Sequence, residues 1–160
     1  FFKLFAGLTF VYAAYLLTQA LLQNRIIANF VGYTQSHPQA HFTYVEDQAS
    51  LNRALKQAQE AHQAVLIDFY ADWCTVCRHM EKDIFKDAKV QSLLKNFLLI
   101  KIDLSQSSAE KNLLQSHYQV FAPPVVIFFN RHGEYMENLR VNGSIDKNTF
   151  LQHAYEALKG

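Results

Sequence analysis

The most informative segment of the sequence is residues 65–77, which read Val65-Leu-Ile-Asp-Phe-Tyr-Ala-Asp-Trp-Cys-Thr-Val-Cys77. Its first six residues form a short run rich in apolar side chains, which is typical of a central strand covered on both faces. The cysteines follow almost at once, so the pattern predicts that Cys74 lies where a strand passes into a helix. A thiol at a helix N-terminus meets partial positive charge and unpaired amides, which lower its pKa. We therefore expect Cys74 to be a nucleophile and Cys77, one turn further along, to attack the sulfur of Cys74 once a mixed disulfide has formed.

The two cysteines are the entire cysteine content of the chain. A disulfide between residues three apart removes little loop entropy from the unfolded chain, so it does not build a disulfide scaffold. A structural zinc site needs two more Cys or His ligands that converge on the pair, and the sequence has no further Cys. We expect redox chemistry without a metal or another cofactor. A copper or zinc carrier that uses the two thiolates stays open as an alternative.

The overall composition is that of an ordinary globular protein. Half of the 160 residues are hydrophobic, 18% are charged, and the formal net charge is +1. No run of like charge is present, and phosphate binding needs a clustered basic face. The composition therefore argues against nucleic acid as a partner.

Residues 4–22, LFAGLTFVYAAYLLTQALL, carry no charge and lie between Lys3 and Arg25. A stretch of about 20 such residues is long enough to span a bilayer as a helix. The alternatives are a buried helix or a secretory signal peptide, for which Thr18-Gln19-Ala20 would offer a small-residue cleavage site. We expect a transmembrane helix within residues 1–24 and a linker over residues 25–40. Because the chain begins with Phe rather than Met, we also expect a fragment or a processed product of a longer protein.

Residues 41–160 show the pattern of a compact α/β domain. The order β-α-β-α-β-α-β-β-α predicts a mixed central sheet with helices on both faces. Strands are predicted at residues 42–45, 65–70, 97–104 and 125–129, with residues 135–141 as a hairpin partner of the last one. Four helix starts are predicted at Asp47 or Ser50, at Asp87, at the capping box Ser107-x-x-Glu110, and at Asp146.

With Ala122-Pro-Pro-Val125 at the head of a later strand, residues 41–160 resemble a thioredoxin fold. The resemblance is closer to the C-terminal domain of the DsbD family of bacterial thiol:disulfide interchange proteins. It is carried by Tyr70-Ala-Asp-Trp-Cys-x-x-Cys, Phe85-Lys-Asp-Ala-Lys-Val90, Val126-Ile-Phe-Phe129 and the hydrophobic segment before the domain. The resemblance implies a periplasmic domain at the bacterial inner membrane. Such a domain accepts electrons from a membrane-embedded cysteine pair and passes them to a periplasmic disulfide.

Two acidic residues are candidates for handling protons at the cysteines. Asp68 lies inside an apolar strand, where desolvation disfavours the charged form and raises the pKa. The resemblance places the family's buried acid at this position, from which it would take and return the proton of Cys77. Glu81 follows Cys77 by four residues and so shares its helical face. The matching acid of the family tunes the cysteine pair, although a solvated surface role would give the same spacing.

Four further residues are candidates for contact with a partner protein. Trp73 and Tyr70 are expected to shape an apolar surface around an exposed sulfur, unless they serve simple packing. Pro124 matches the cis-proline that lies against the cysteines in thioredoxin folds. The residue before that proline usually pairs with substrate backbone, but Pro123 has no N–H, so one such hydrogen bond is unavailable.

The sequence therefore predicts a membrane-tethered thiol-disulfide oxidoreductase that acts as a reductant. Cys74 would be the nucleophile, Cys77 the resolving thiol, and Asp68 with Glu81 the proton-handling groups. A tethered reductase for apocytochrome c thiols is an alternative of the same chemical class. The metal carrier, and an adaptor with a vestigial cysteine site, are the alternatives from other classes.

Overall fold

The computed structural model describes residues 12–16, 19 and 40–160. The chain divides into two compact units, Phe1–Gln39 and Ala40–Gly160. In the first unit, the described residues 12–16 and 19 are helical. Most of the predicted membrane span and almost all of the predicted linker lie outside the described residues. Within the described part of the chain, the helices fall short of the length and apolar character that a membrane crossing requires.

The second unit alternates strands and helices, as predicted. Its strands are β1 (Thr43–Tyr44), β2 (Ala64–Tyr70), β3 (Phe97–Asp103), β4 (Val125–Phe129) and β5 (Val141–Asn142). Its α-helices are α1 (Gln48–Glu60), α2 (Thr75–Met80), α3 (Ala88–Leu94), α4 (Ala109–His117) and α5 (Lys147–Lys159). A π-helix (Glu81–Phe85) continues directly from α2, and a 3-10 helix (Glu137–Leu139) precedes β5.

The five strands form one mixed sheet in the order β1-β3-β2-β4-β5. Strand β3 pairs in parallel with both β1 and β2, whereas β4 is antiparallel to β2 and β5 is antiparallel to β4. Strand β2 therefore lies at the centre of the sheet, and all but the last of its residues are buried. The mixed sheet expected from the order of elements is confirmed.

Apolar helix faces cover the sheet on both sides. Side chains of α1 and α4, such as Leu51 and Leu114, pack in one buried cluster with Ile67 and Phe69. Side chains of α3 and α5 pack in a second cluster with Leu66 on the other face of the sheet. Because successive residues of a strand point to opposite faces, β2 contributes to both clusters. The helices on both faces are as predicted.

Three predicted helix starts are present, and one is displaced. Asp47, Asp87 and Asp146 each accept hydrogen bonds from backbone N–H groups at the starts of α1, α3 and α5. The predicted capping box at Ser107 is wrong by one residue. The N-cap of α4 is Ser108, whose hydroxyl oxygen accepts from the backbone N–H of Lys111 at 3.2 Å, while the Ser107 hydroxyl contacts a side chain of the first turn. Leu113 of this helix is 65% exposed.

The predicted hairpin partner of β4, residues 135–141, is mostly not a strand. Tyr135 forms an isolated bridge with Phe129, and regular pairing resumes only at Val141 and Asn142. Between them, the 3-10 helix turns Leu139 inward to 5% exposure in the second apolar cluster. Between Tyr135 and Val141 the chain therefore buries Leu139 instead of forming a regular strand beside β4.

Candidate active site

Cys74 and Cys77 form a disulfide at the point where β2 leads into α2, with their Cα atoms 5.3 Å apart. Cys74 is the N-cap of α2, and its Sγ accepts a hydrogen bond from the backbone N–H of Cys77 at 3.0 Å. Its own N–H donates to the carbonyl of Ala71 at 3.1 Å, which fixes the turn between strand and helix. A sulfur in this position is placed to carry negative charge, because a helix-terminal N–H already points at it.

Both cysteines are buried in this oxidised state. Cys74 is 6% exposed and Cys77 is 3% exposed. The sequence led us to expect an exposed sulfur at Cys74, whereas this residue is buried in the oxidised structure. Its Sγ lies 3.6 Å from the carbonyl oxygen of Pro123, so the loop before β4 covers it. A partner must reach the sulfur at this edge.

That loop contains a cis peptide bond between Pro123 and Pro124. The carbonyl of Pro124 accepts from the N–H of Gly143 at 2.9 Å, which ties the loop to the end of β5. The carbonyl of Pro123 is directed to the cysteine pair, and its nitrogen carries no hydrogen. The Pro123 carbonyl thus lies beside Cys74, and Pro124 follows it across the cis bond.

Large apolar side chains are exposed next to the cysteines and the proline loop. Trp73 is 61% exposed, Val76 is 39% exposed, and Phe121, two residues before Pro123, is 96% exposed. We refer to Trp73, Val76 and Phe121 as the apolar rim. Phe121 was not among the residues singled out from the sequence, although an aromatic residue just before a proline pair is a signal that could have found it.

Three side chains, Asp68, Glu81 and Lys101, form an ionic cluster. Lys101 is 3% exposed and Asp68 is 2% exposed, and the two are register partners in neighbouring parallel strands. The Nζ atom of Lys101 lies 2.7 Å from Oε2 of Glu81 and 3.6 Å from Oδ2 of Asp68. The sequence analysis missed Lys101. This lysine could have been found because it is the single cation in the mostly apolar run 97–104, where a buried charge needs a partner.

The cluster perturbs the pKa values of its members. Burial raises the pKa of Asp68 to about 7, with the Lys101 charge opposing the shift and the Glu81 charge adding to it. For Lys101, burial lowers the pKa, but the hydrogen bond to Glu81 and the charges of both carboxylates outweigh it, so the net pKa is raised. Asp68 is thus a carboxyl group that can gain or lose a proton near neutral pH.

Two aromatic rings complete the surroundings of the Lys101 ammonium. Its Nζ lies 4.6 Å from the ring centroid of Phe42 and 4.7 Å from that of Tyr70. The Tyr70 hydroxyl donates to Oδ1 of Asp72 at 3.0 Å, and burial followed by this hydrogen bond raises the pKa of Tyr70 to about 12. The structure therefore places the Tyr70 ring against the ionic cluster, and its expected part in the apolar surface around Cys74 stays a prediction.

The structure thus separates the predicted site residues into two groups. Trp73, Pro123 and Pro124 lie with the cysteines. Asp68, Glu81 and Tyr70 lie with Lys101, and the ion pairs of both carboxylates in the described structure are made to this lysine. Asp68 lies between Ile67 and Phe69 on β2, so its side chain points to the opposite face of that strand from theirs. Within the described residues, His, Cys, Asp and Glu side chains form no group of three that could hold a metal ion.

Comparison with known proteins agrees with this geometry. The sequence model of the Thioredoxin-like family matches residues 46–131. The thiol:disulfide interchange protein DsbD of Klebsiella pneumoniae is 37% identical over 141 residues, which cover 86% of this chain and 23% of the relative. DsbD of Pseudomonas sp. is 37% identical over 119 residues, which cover 73% of this chain and 21% of the relative. The chain thus spans between a fifth and a quarter of the length of these curated relatives.

Solved structures give the same result. The C-terminal domain of Neisseria meningitidis DsbD in the oxidised form matches with a TM-score of 0.62 and 26% identity, covering 72% of this chain and all of that domain. A thioredoxin from Thermus thermophilus matches with a TM-score of 0.57 at 23% identity, covering 72% of this chain and 85% of that protein, which shows the shared fold.

The fold and the disulfide-bonded Cys-x-x-Cys pair at the head of α2 are those of a thiol:disulfide oxidoreductase. The chain belongs to the thioredoxin-like family, and its relatives within that family include the DsbD proteins, whose C-terminal domain it matches. The predicted thioredoxin fold and the predicted resemblance to DsbD are confirmed.

Proposed function

We propose that this chain is the C-terminal part of a DsbD-type interchange protein and works as a reductant. It receives two electrons from a membrane-embedded dithiol and delivers them to the disulfide of a periplasmic partner. The observation that carries the proposal is the position of Cys74, whose sulfur caps α2 and accepts the N–H of Cys77 while the Cys77 sulfur is bonded to it. The similarity to the C-terminal domain of DsbD supports the direction of electron flow.

The reaction consists of two thiol-disulfide exchanges. In the reduced protein, the Cys74 thiolate attacks one sulfur of the partner disulfide, the partner S–S bond breaks, and the other partner sulfur leaves as a thiolate that is then protonated. Cys77 next loses its proton and attacks the Cys74 sulfur, which releases the second partner thiol and forms the internal disulfide. The partner gains two electrons and two protons, and the Cys74–Cys77 pair is oxidised. The membrane dithiol regenerates the reduced pair by the same two exchanges in reverse.

Asp68 is proposed as the group that takes the proton of Cys77. It is a buried carboxyl with a pKa of about 7, and it lies on the strand that leads directly into the cysteine helix. A base with a pKa near the working pH has a large share of both protonation states available. Glu81 is proposed to act through Lys101, because its 2.7 Å ion pair fixes the ammonium that faces Asp68.

The partner is proposed to dock on the apolar rim rather than by extended backbone pairing. Pro123 offers a carbonyl oxygen but no N–H beside Cys74, which removes one of the two backbone hydrogen bonds available at this place. Trp73, next to Cys74 in the chain, and Phe121, two residues before Pro123, offer large exposed apolar surfaces. Aromatic side chains of this kind dominate the energetics of protein interfaces.

The proposed location is the bacterial inner membrane, with residues 4–22 as the anchor and the thioredoxin-like unit in the periplasm. The uncharged composition of residues 4–22 supports the anchor. The similarity to the thiol:disulfide interchange protein DsbD supports the role in a disulfide relay. An apocytochrome c thiol reductase would use the same two exchanges and differ only in its acceptor.

The test of the proposal is a count of thiols followed by a turnover assay. The purified chain should show no free thiols before dithiothreitol and two after it. The reduced chain should then reduce insulin and return to the disulfide form in oxidised glutathione. Tight, stoichiometric retention of zinc or copper by the reduced chain without insulin reduction would favour the metal carrier. Failure of both assays would favour the adaptor with a vestigial site.

A further inference from the structure

The Lys101 ammonium contacts both carboxylates and aromatic rings. The ammonium contacts Glu81 and Asp68, and the rings of Phe42 and Tyr70 lie over it at 4.6 and 4.7 Å. The side chain of Glu81 is 38% exposed, so water can reach the cluster along this carboxylate. Asp68 and Lys101 are 2% and 3% exposed, and Phe42 forms part of the cover over the Lys101 ammonium.

Phe42 comes from the segment that leads into β1, outside the elements that build the active site. Its ring packs edge-on against Phe85 of the π-helix, with the centroids 5.4 Å apart. The N–H of Ala40 donates to the side chain of Gln91 at 2.6 Å, which fixes the segment on α3. Strand β1 then runs beside β3, with Tyr44 as the register partner of Lys101 and the N–H of Val45 donating to the Lys101 carbonyl at 3.1 Å.

Titratable groups face Lys101 from each neighbouring element. They are Asp68 and Tyr70 of β2, Glu81 of the π-helix, Tyr44 of β1 and Asp103 of β3. Asp68 alone of the three carboxylates is fully enclosed, so its charged form depends most on how much water enters. A change in the cover over Lys101 therefore acts first on the proton affinity of Asp68.

We propose that Phe42 is a positioning residue for the redox reaction, because its ring keeps water from the Lys101 ammonium and thereby from the Asp68 carboxyl that serves the resolving thiol. The inference rests on the proposed function, in which Asp68 takes the proton of Cys77. It makes the segment before β1 part of the machinery that sets the pH dependence of the exchange.

The test compares three variants of the full chain, Phe42→Ala, Phe42→Leu and Leu151→Ala. Leucine fills most of the space of the ring and is apolar, whereas alanine opens a path for water. Leu151 packs in the same apolar cluster from α5, so its truncation controls for general loosening of that cluster. The titration of Asp68 is followed by carbon-13 NMR of the carboxyl groups, with Asp68→Asn identifying its signal.

Phe42→Ala is expected to increase the acid dissociation constant of Asp68 by about tenfold or more, because hydration favours the charged form. Phe42→Leu is expected to stay within about threefold of the parent chain, and Leu151→Ala to leave the titration unchanged while lowering the melting temperature. The rate at which iodoacetamide traps the reduced cysteines should show an altered pH profile in Phe42→Ala alone. If Phe42→Ala does not fold, Phe42→Val is expected to shift the titration in the same direction.

Three results would overturn the inference. They are an unchanged Asp68 titration in Phe42→Ala or Phe42→Val, an equal shift in Phe42→Leu, or an equal shift in Leu151→Ala. Each of these leaves insulin reduction by the parent chain in place, so the proposed function would survive. Loss of insulin reduction in the parent chain itself would instead overturn the proposed function.

Discussion

Asp68 and Lys101 are direct register partners in two neighbouring parallel strands, and their side chains form a buried ion pair 3.6 Å long. The Lys101 ammonium also lies 2.7 Å from the Glu81 carboxylate, so one cation forms ion pairs with two carboxylates. Removing any member of such a buried set leaves an uncompensated charge or forces a change of protonation. In the proposed mechanism, where Asp68 takes the proton of Cys77, the chemistry of the cysteine pair depends on this ionic cluster.

Replacing Asp68 by Asn should change how stability depends on pH. The pKa of Asp68 is about 7 in the folded chain and 3.8 as its ordinary value, so the folded state holds the proton over that interval. The parent chain consequently loses stability as pH rises from about 4 to about 7, and the variant lacks this loss. Relative to the parent, Asp68→Asn should gain roughly 3–4 kcal/mol between pH 4 and pH 8. Urea unfolding at a series of pH values measures it, and a difference that is flat with pH would contradict the buried-acid assignment.

Replacing Lys101 by Met should raise the pKa of Asp68 further. The Lys101 charge is what opposes the effect of burial on this carboxyl, and Glu81 would remain as a repelling charge. The pH at which the reduced cysteines change reactivity should move upward with it. Lys147→Met is the matched control, since Lys147 pairs with Asp87 at 2.7 Å on the surface. A downward shift of the Asp68 titration in Lys101→Met would refute the electrostatic account.

Truncating the apolar rim should slow exchange with a protein disulfide without unfolding the chain. Phe121 is 96% exposed and Trp73 is 61% exposed, so alanine at either position should change the free energy of unfolding by no more than about 0.5 kcal/mol. Exchange with a folded partner protein should slow severalfold, while reduction of oxidised glutathione, which is too small to use the rim, should not. Leu113→Ala is the control because Leu113 is 65% exposed on α4. Equal effects in all three variants would remove the rim from partner binding.

The strand, the cysteine helix and the mixed sheet could be predicted because each depends on local pattern. The apolar run 65–70 needs cover on both faces, and the cysteines that follow it closely were placed at the start of the next helix. The proline pair could be placed beside Cys74 through the family resemblance. Even the displaced cap at Ser108 is a one-residue error in a helix that was correctly predicted.

The ionic cluster could not be predicted because its members meet only through strand register. Asp68 and Lys101 are adjacent because β2 and β3 pair without offset, and sequence periodicity does not reveal which residues of two strands face each other. Glu81 reaches Lys101 from the π-helix that continues α2, which the helical spacing from Cys77 did not show. Phe42 joins from the segment before β1, far along the chain from the cysteines.

Membrane attachment through residues 4–22 should be visible in fractionation. The full chain, expressed with its N-terminus intact, is expected to stay with the membrane pellet after carbonate washing, because the uncharged stretch is long enough to span a bilayer. A chain that starts near His41 should enter the supernatant and still reduce insulin. Recovery of the full chain in the supernatant without detergent would show that the anchor is wrong, and would favour a cleaved leader or a buried helix.

Trapping of a mixed disulfide tests the central claim most directly. Cys77→Ser should attack a disulfide substrate through Cys74 and accumulate a covalent adduct on non-reducing gels that dithiothreitol removes, because the resolving thiol is absent. Cys74→Ser should give little adduct, since Cys77 is 3% exposed and lies one turn inside the helix. The account predicts a strong band for Cys77→Ser and a faint one for Cys74→Ser. A stronger band for Cys74→Ser, or no band for either variant with a periplasmic extract, would contradict it.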